Sequence, residues 1–107
     1  MVEVRFNSHK EFLEELERDK ELVDGGIVRL TCRQTPFERI PSHHFYQVVA
    51  TALVGQKLVK LETFCGDDWN HEHKPPERAR QVMRELEEGL KALGLEVRPG
   101  VLAATEA

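Results

Sequence analysis

Apolar and polar positions alternate in several short stretches of the chain and recur with helical spacing in two longer ones. Residues 2–6 alternate apolar and charged side chains, which is typical of a half-buried strand. Ser8 and Glu11 form a capping box, and apolar residues then recur at helical spacing from Phe12 towards the glycine pair at 25–26. The pattern predicts a first strand and a first helix that ends at these glycines.

The middle of the chain predicts three more strands. Residues 27–32 alternate again and predict a second strand, whereas residues 34–42 contain two prolines and are expected to form a loop. Two β-rich runs within residues 43–68 flank Gly55 and Gln56, which suit a type II′ hairpin turn. In this hairpin the numbers of opposed residues sum to 111, and the register separates an apolar face from a mixed one.

Residues 75–94 predict a second helix. A proline pair at 75–76 suits the helix entry, an apolar stripe follows at helical spacing, and Gly94 suits the end. The stripe consists of Ala79, Val82, Met83, Leu86, Leu90 and Leu93. Residues 95–98 predict a last strand, and residues 100–107 are expected to be a frayed tail.

The order β-α-β-β-β-α-β predicts one α+β domain over residues 1–107. Each helix has one apolar stripe and the strands share one apolar face, so a two-layer sandwich buries both. We expect a mainly antiparallel sheet of four or five strands with both helices on one face. A variant of the ferredoxin-like arrangement is the nearest common plan, although such a plan carries no function.

Composition indicates a cytoplasmic protein without a membrane partner. No apolar run approaches the roughly 20 residues of a membrane span, and the first residues lack the pattern of a signal peptide. Cys32 and Cys65 are too few for a disulfide framework and are expected to be buried, apolar side chains. Many charged residues with few Asn and Gln are typical of proteins from hot environments.

The distribution of charge changes the picture given by the total. The chain carries a net charge of −4, which argues against broad attraction to nucleic acid or anionic membranes. Residues 25–66 nevertheless carry +3, whereas residues 1–24 and 67–107 carry −4 and −3. The predicted strands of the middle region are therefore the basic part of an acidic protein.

Four of the five histidines lie in two stretches that the hairpin register brings together. His44 is expected opposite Asp67 with His43 beside them, and His71 and His73 follow shortly after in the chain. Imidazole and carboxylate are preferred ligands of zinc, iron, nickel and manganese. The sequence therefore predicts a candidate site for a divalent transition metal, here called the histidine rim: His43, His44, Asp67, His71 and His73. The alternative is an ordinary polar loop, because H-x-H alone is a weak signal and no HExxH or CxxC motif supports it.

The mixed face of the hairpin predicts a contact surface. It combines apolar side chains with basic ones, namely Phe45, Val49, Leu53, Leu58 and Phe64 with Arg29, Arg33 and Lys60. Apolar residues on a nominally exposed sheet surface are usually covered, and a second copy of the chain is the simplest cover because symmetric dimers are common. Rings and cations on strands also suit single-stranded nucleic acid. The negative net charge and the absence of the RRM consensus disfavour that alternative.

These patterns favour a small homo-oligomeric binding or accessory module without catalytic activity, most simply a homodimer. The main alternative is a metal-binding protein or metal-dependent enzyme that uses the histidine rim. A binder of single-stranded nucleic acid is the less favoured third hypothesis. Neither a reaction class nor a small-molecule ligand follows from the sequence.

Overall fold

The computed structural model describes residues 2–36, 39, 44–67 and 75–102. Its helices and strands follow the predicted order β-α-β-β-β-α-β. Their bounds are β1 Val2–Phe6, α1 His9–Arg18, β2 Ile27–Pro36, β3 His44–Val54, β4 Lys57–Asp67, α2 Glu77–Ala92 and β5 Glu96–Pro99. Among the described residues, neither helix is long and apolar enough to cross a bilayer.

The five strands form one mixed sheet in the order β1-β4-β3-β2-β5. Strand β3 is antiparallel to both of its neighbours, whereas β1 pairs parallel with β4 and β5 pairs parallel with β2. The prediction of a mainly antiparallel sheet is therefore wrong, since two of the four pairings are parallel. The reason is that each helix belongs to a crossover, β1-α1-β2 or β4-α2-β5, that returns the chain in its original direction. The ferredoxin-like comparison is not confirmed by this strand order.

The predicted hairpin register is confirmed over most of the β3–β4 pair. Opposed residues sum to 111 from Val54 with Lys57 to Gln47 with Phe64. Gly55 has a φ of +62°, a left-handed conformation that glycine adopts without steric cost. Beyond Gln47 the register shifts at a β-bulge, so that Phe45 pairs with Asp67.

Both helices pack on the same sheet face, where they bury their apolar stripes. Phe12 and Leu16 of α1 are fully buried, and α2 contributes Leu86 and Leu90 to the same cluster. The predicted α2 stripe is confirmed, with its remaining members buried or packed against that cluster. The sheet contributes alternate residues from its strands: Val28, Leu30, Val48, Ala50, Ala52, Val54, Val59, Leu61 and Cys65.

A polar contact and a close approach at a glycine join the two helices to each other. His9 Nε2 lies 2.9 Å from Glu85 Oε2, across the α1–α2 contact. A Cβ atom at Gly89 would lie 2.9 Å from Leu13 Cδ1, so α2 approaches α1 closely at this position. The absence of a side chain at Gly89 therefore permits the short distance between the two helices.

Three element boundaries differ from the predictions. Helix α1 ends at Arg18 rather than at the glycine pair, and two short 3₁₀ turns, Lys20–Leu22 and Asp24–Gly26, lead to β2. Strand β2 continues through Pro36 into the predicted loop, because it pairs there with β3. Residues 100–102, expected to be frayed, are bonded to the sheet, while 103–107 lie outside the described residues.

Candidate ligand-binding face

The sheet face opposite the helices, here called the outer face, is built by the residues that alternate with the core residues. In β3 the core cluster contains even-numbered residues, so the odd-numbered residues from Gln47 to Leu53 lie on the outer face. The pairing extends this face to the other strands, since Thr51 pairs with Lys60 of β4 and with Arg29 of β2. The structure thus places the predicted contact residues on one surface. Phe45 belongs to it although it lies beyond the bulge, because its ring lies against that of Phe64.

Four basic residues form a single row across this face, here called the basic row. Arg98 pairs with Arg29 at one side of Thr51, and Lys60 pairs with Arg5 at the other side. Adjacent strands lie about 4.8 Å apart, so these cations span a width on the order of 20 Å. Like charges directly opposite each other on neighbouring strands are destabilising. The basic row therefore provides a favourable place for an anion.

Acidic side chains beside the basic row compensate only part of its charge. Glu62 contacts Lys60 Nζ at 3.0 Å and Arg33 Nη2 at 3.5 Å. The Lys60 hydrogen bond and the nearby cations hold the pKa of Glu62 below its ordinary value, against the opposing effect of burial. Up to the bulge, the outer face carries five basic side chains, namely the basic row and Arg33, and three acidic ones, namely Glu3, Glu62 and Glu96. Their net charge is +2, and Asp67 lies beyond the bulge. This surface opposes the sign of the whole chain, which is −4.

An aromatic pair lies at the end of the outer face nearest the bulge. The rings of Phe45 and Phe64 have centroids 6.0 Å apart and planes inclined by 39°. Phe64 remains 60% exposed, the largest exposure of any described aromatic residue, and its strand neighbour Gln47 is bonded to Arg33. Gln47 thus lies between the exposed ring and the Arg33 guanidinium group, and the two side chains offer stacking and charge to a ligand from neighbouring positions of one face.

Other apolar residues of the outer face are already covered within one chain. Val49 and Leu58 are fully buried, and Leu53 is half-buried. Phe64 is the clearly exposed apolar residue among the predicted contact residues. The apolar area that a second copy would cover is therefore smaller than the sequence pattern indicates.

The C-terminal segment crosses the middle of the outer face. The Gly100 N–H donates to the Leu30 carbonyl and continues the pairing of β5 with β2. The Leu102 N–H then donates to Thr51 Oγ1 at 2.9 Å, and Arg29 Nη1 donates to the Pro99 carbonyl at 3.2 Å. Residues 99–102 thereby shield Thr51 in the centre of the basic row, and among the described residues Phe64 stays exposed at its end of the face.

Most of the histidine rim lies outside the described residues, namely His43, His71 and His73. The two described members are not aligned as predicted, because the bulge pairs Asp67 with Phe45 instead of His44. In the part of the chain that the structure describes, no three His, Cys, Asp or Glu side chains are grouped as metal ligands would be. The metal site therefore remains a prediction from the sequence.

The two cysteines face the helices rather than the outer face. Cys65 is buried in the core cluster and Cys32 is half-buried against it, and both are free thiols. Burial raises the pKa of each thiol above its ordinary value. A raised pKa lowers the fraction of reactive thiolate, so neither thiol has the character of an activated nucleophile.

Comparison with protein-family models, with curated proteins and with solved structures gives no match. The function is therefore inferred from the residues of the outer face. Sequence reasoning identified Arg29, Lys60 and Arg33 but missed Arg5 and Arg98. The alternation in both edge strands indicates which residues share a face, but no local signal shows that β1 joins β4 or that β5 joins β2.

Proposed function

We propose that the protein is a small homo-oligomeric binding module whose outer face binds single-stranded nucleic acid. The basic row carries this proposal, because its four cations and Arg33 outnumber the three carboxylates that the face holds beside them, and the remaining positive charge favours anions. Phosphate groups supply such anions at regular intervals along a strand. Phe64 supplies an exposed ring at the other end of the same face, where a base can stack.

An identical outer face on a second copy is a less favourable partner for this surface. A two-fold contact places the same patch on both partners, so it brings two basic rows towards each other. Val49 and Leu58 also gain little from such a contact, because they are buried in the single chain. Self-association of the module is therefore expected through a different surface.

A single strand suits this face better than a duplex does. The bases of a single strand can be splayed out and stacked on side chains, whereas those of a duplex are stacked on each other. The C-terminal segment occupies the centre of the basic row. We therefore expect the nucleic-acid strand to contact Phe64, Arg33 and the basic-row residues on either side of that segment. This footprint is short, which favours moderate affinity and little sequence preference.

Fluorescence anisotropy with a labelled, mixed-sequence single-stranded oligonucleotide tests the proposal. We expect binding that weakens as salt increases, because each phosphate contact releases bound counterions. Arg98→Gln should weaken binding and reduce the magnitude of the salt slope by about 0.7 for one lost contact. Arg84→Gln on α2 is the matched control, since both arginines are exposed and each pairs with one glutamate.

The proposal fails if the oligonucleotide does not bind at low salt. It also fails if Arg84→Gln weakens binding as much as Arg98→Gln does, since the effect would then follow total charge rather than this face. Circular dichroism of both variants verifies that each retains the fold. An unlabelled duplex of the same composition, added as competitor, is expected to compete less well than the single strand.

A further inference from the structure

Strand β1 is an open edge of the sheet. One side of β1 pairs with β4, from Val2 with Lys57 to Phe6 with Leu61. In the described part of the chain, no strand pairs with its other side. Unpaired backbone N–H and C=O groups along a sheet edge are a template for another strand.

The side chains of β1 are complementary to a second copy of the same strand. In an antiparallel pair centred on Val4, Glu3 of each copy lies opposite Arg5 of the other, and Val2 lies opposite Phe6. Such a pair is two-fold symmetric and keeps each residue type on one face: the charged pairs on the outer face and the apolar pairs on the helix side. Opposite charges directly across neighbouring strands are stabilising, whereas like charges are destabilising.

The exposure of these residues suits such a contact. Val2 is 65% exposed, the highest value among the described large apolar side chains. The Arg5 side chain is 69% exposed and lies 2.6 Å from Glu3 Oε1 of the same chain. The Val2 and Arg5 side chains are therefore both accessible to a second copy. Val2 would become covered by that copy, and the Glu3–Arg5 pairs of the two copies would form a cluster of four charges.

The opposite edge of the sheet lacks this capacity. Strand β5 repeats the Glu-Val-Arg triplet as Glu96-Val97-Arg98, but Pro99 occupies its last position. Proline has no backbone N–H to offer an incoming strand, and its carbonyl already accepts from Arg29. The β5 edge is thus blunted, while the β1 edge has no proline.

We propose that two copies of this chain associate through antiparallel pairing of their β1 strands. The pairing creates a continuous sheet of ten strands with four helices on one side. The two outer faces then adjoin, and the basic rows are offset by two residues, because Arg5 at the end of each row lies opposite Glu3 of the other copy. The inference gives a geometry to the homo-oligomer in the proposed function, and it leaves both outer faces free for ligand.

Charge reversal in β1 tests this geometry by analytical ultracentrifugation. The wild-type protein is expected to sediment with twice the mass of the chain. Glu3→Arg alone and Arg5→Glu alone each place like charges opposite each other, so each variant is expected to be monomeric. An equimolar mixture of the two variants should restore the doubled mass, because arginines at both positions in one copy then face glutamates in the other.

The mixture separates the contact between copies from effects within one chain. Each variant keeps its own repulsion between positions 3 and 5 after mixing, so a recovered dimer cannot arise from repair of that internal pair. The matched controls are Glu96→Arg and Arg98→Glu, which change the same triplet at the β5 edge and should leave the mass doubled. Thermal unfolding by circular dichroism verifies that all four variants fold.

A wild-type monomer at submillimolar concentration overturns the inference. A dimer that persists in both single β1 variants, or that is lost in the β5 controls, overturns it as well, since another surface would then be responsible. The sedimentation result is independent of ligand. A wild-type monomer that binds the oligonucleotide refutes only the edge contact, and a wild-type dimer that binds no oligonucleotide refutes only the proposed ligand.

Discussion

Replacement of Phe64 and of Phe12 by alanine is expected to distinguish a residue that contacts ligand from one that stabilises the fold. Phe64 is 60% exposed and Phe12 is fully buried between α1 and the sheet. A phenylalanine offers about 200 Å², so burial of two fifths of Phe64 contributes at most about 2 kcal/mol at about 25 cal/mol per Å². Phe64→Ala should therefore cost about 1–2 kcal/mol, whereas Phe12→Ala should cost about 3–5 kcal/mol by creating a cavity.

Urea unfolding followed by circular dichroism measures both costs. The two variants should have similar m values, with the midpoint of Phe12→Ala much lower than that of Phe64→Ala. Although Phe64→Ala is expected to remain folded, it should bind the oligonucleotide more weakly than the wild-type protein does. Loss of one stacked base weakens binding by about 1–3 kcal/mol, which is roughly 5- to 150-fold. Equal destabilisation by the two changes, or unchanged affinity in Phe64→Ala, would refute the assignment of Phe64 as a contact residue.

Four further measurements test other residues of the chain. Glu62→Gln should bind the oligonucleotide more tightly at neutral pH, because it removes an acidic group from between Lys60 and Arg33, and unchanged or weaker binding would count against the electrostatic argument. Since the pKa of Glu62 is lowered in the folded protein, its contribution to stability is present above the ordinary carboxyl pKa and is lost as pH falls through the folded pKa. The destabilisation by Glu62→Gln, expected to be below about 1 kcal/mol, should therefore disappear in acid denaturation titrations. Cys32 and Cys65 should react slowly with a thiol reagent in the native protein and rapidly in urea, and rapid native labelling would contradict their packing. Elemental analysis of untagged protein purified without chelators tests the histidine rim, and stoichiometric zinc, nickel, iron or manganese would support it.

Local signals were sufficient to predict the elements that local interactions determine. The β3–β4 hairpin follows from Gly55 and from alternation on both sides, so its register could be derived by counting. Helix α2 follows from its apolar stripe, its proline entry and Gly94. In both cases the signal and the structure lie within a short stretch of chain.

Predictions failed where distant contacts decide the structure. The parallel pairing of β1 with β4 joins residues more than fifty positions apart, and alternation within β1 does not identify a neighbour. Helix α1 ends early because Val23 forms a bridge with Val54 rather than a further helical turn. The bulge near Phe45 changes the register by one residue, which is why His44 is not opposite Asp67.

The sequence predicted which residues lie on the outer face, but not which of them are exposed. Alternation alone places Val49, Leu58 and Phe64 on one face. It does not reveal that the first two are buried in the folded chain. Nor does it reveal that the C-terminal segment bonds to Thr51 on this face, where the sequence pattern predicted only a frayed tail.

Chemical-shift mapping by heteronuclear NMR shows, residue by residue, whether the outer face binds single-stranded nucleic acid. The protein, labelled with nitrogen-15, is titrated with a short single-stranded oligonucleotide at low salt. We expect the largest amide shifts to cluster on the outer face, around Arg33, Lys60 and Phe64, and added salt to reverse them. No shifts at all would refute single-stranded nucleic acid as the ligand, and shifts confined to α1 and α2 would refute the outer face as its binding surface.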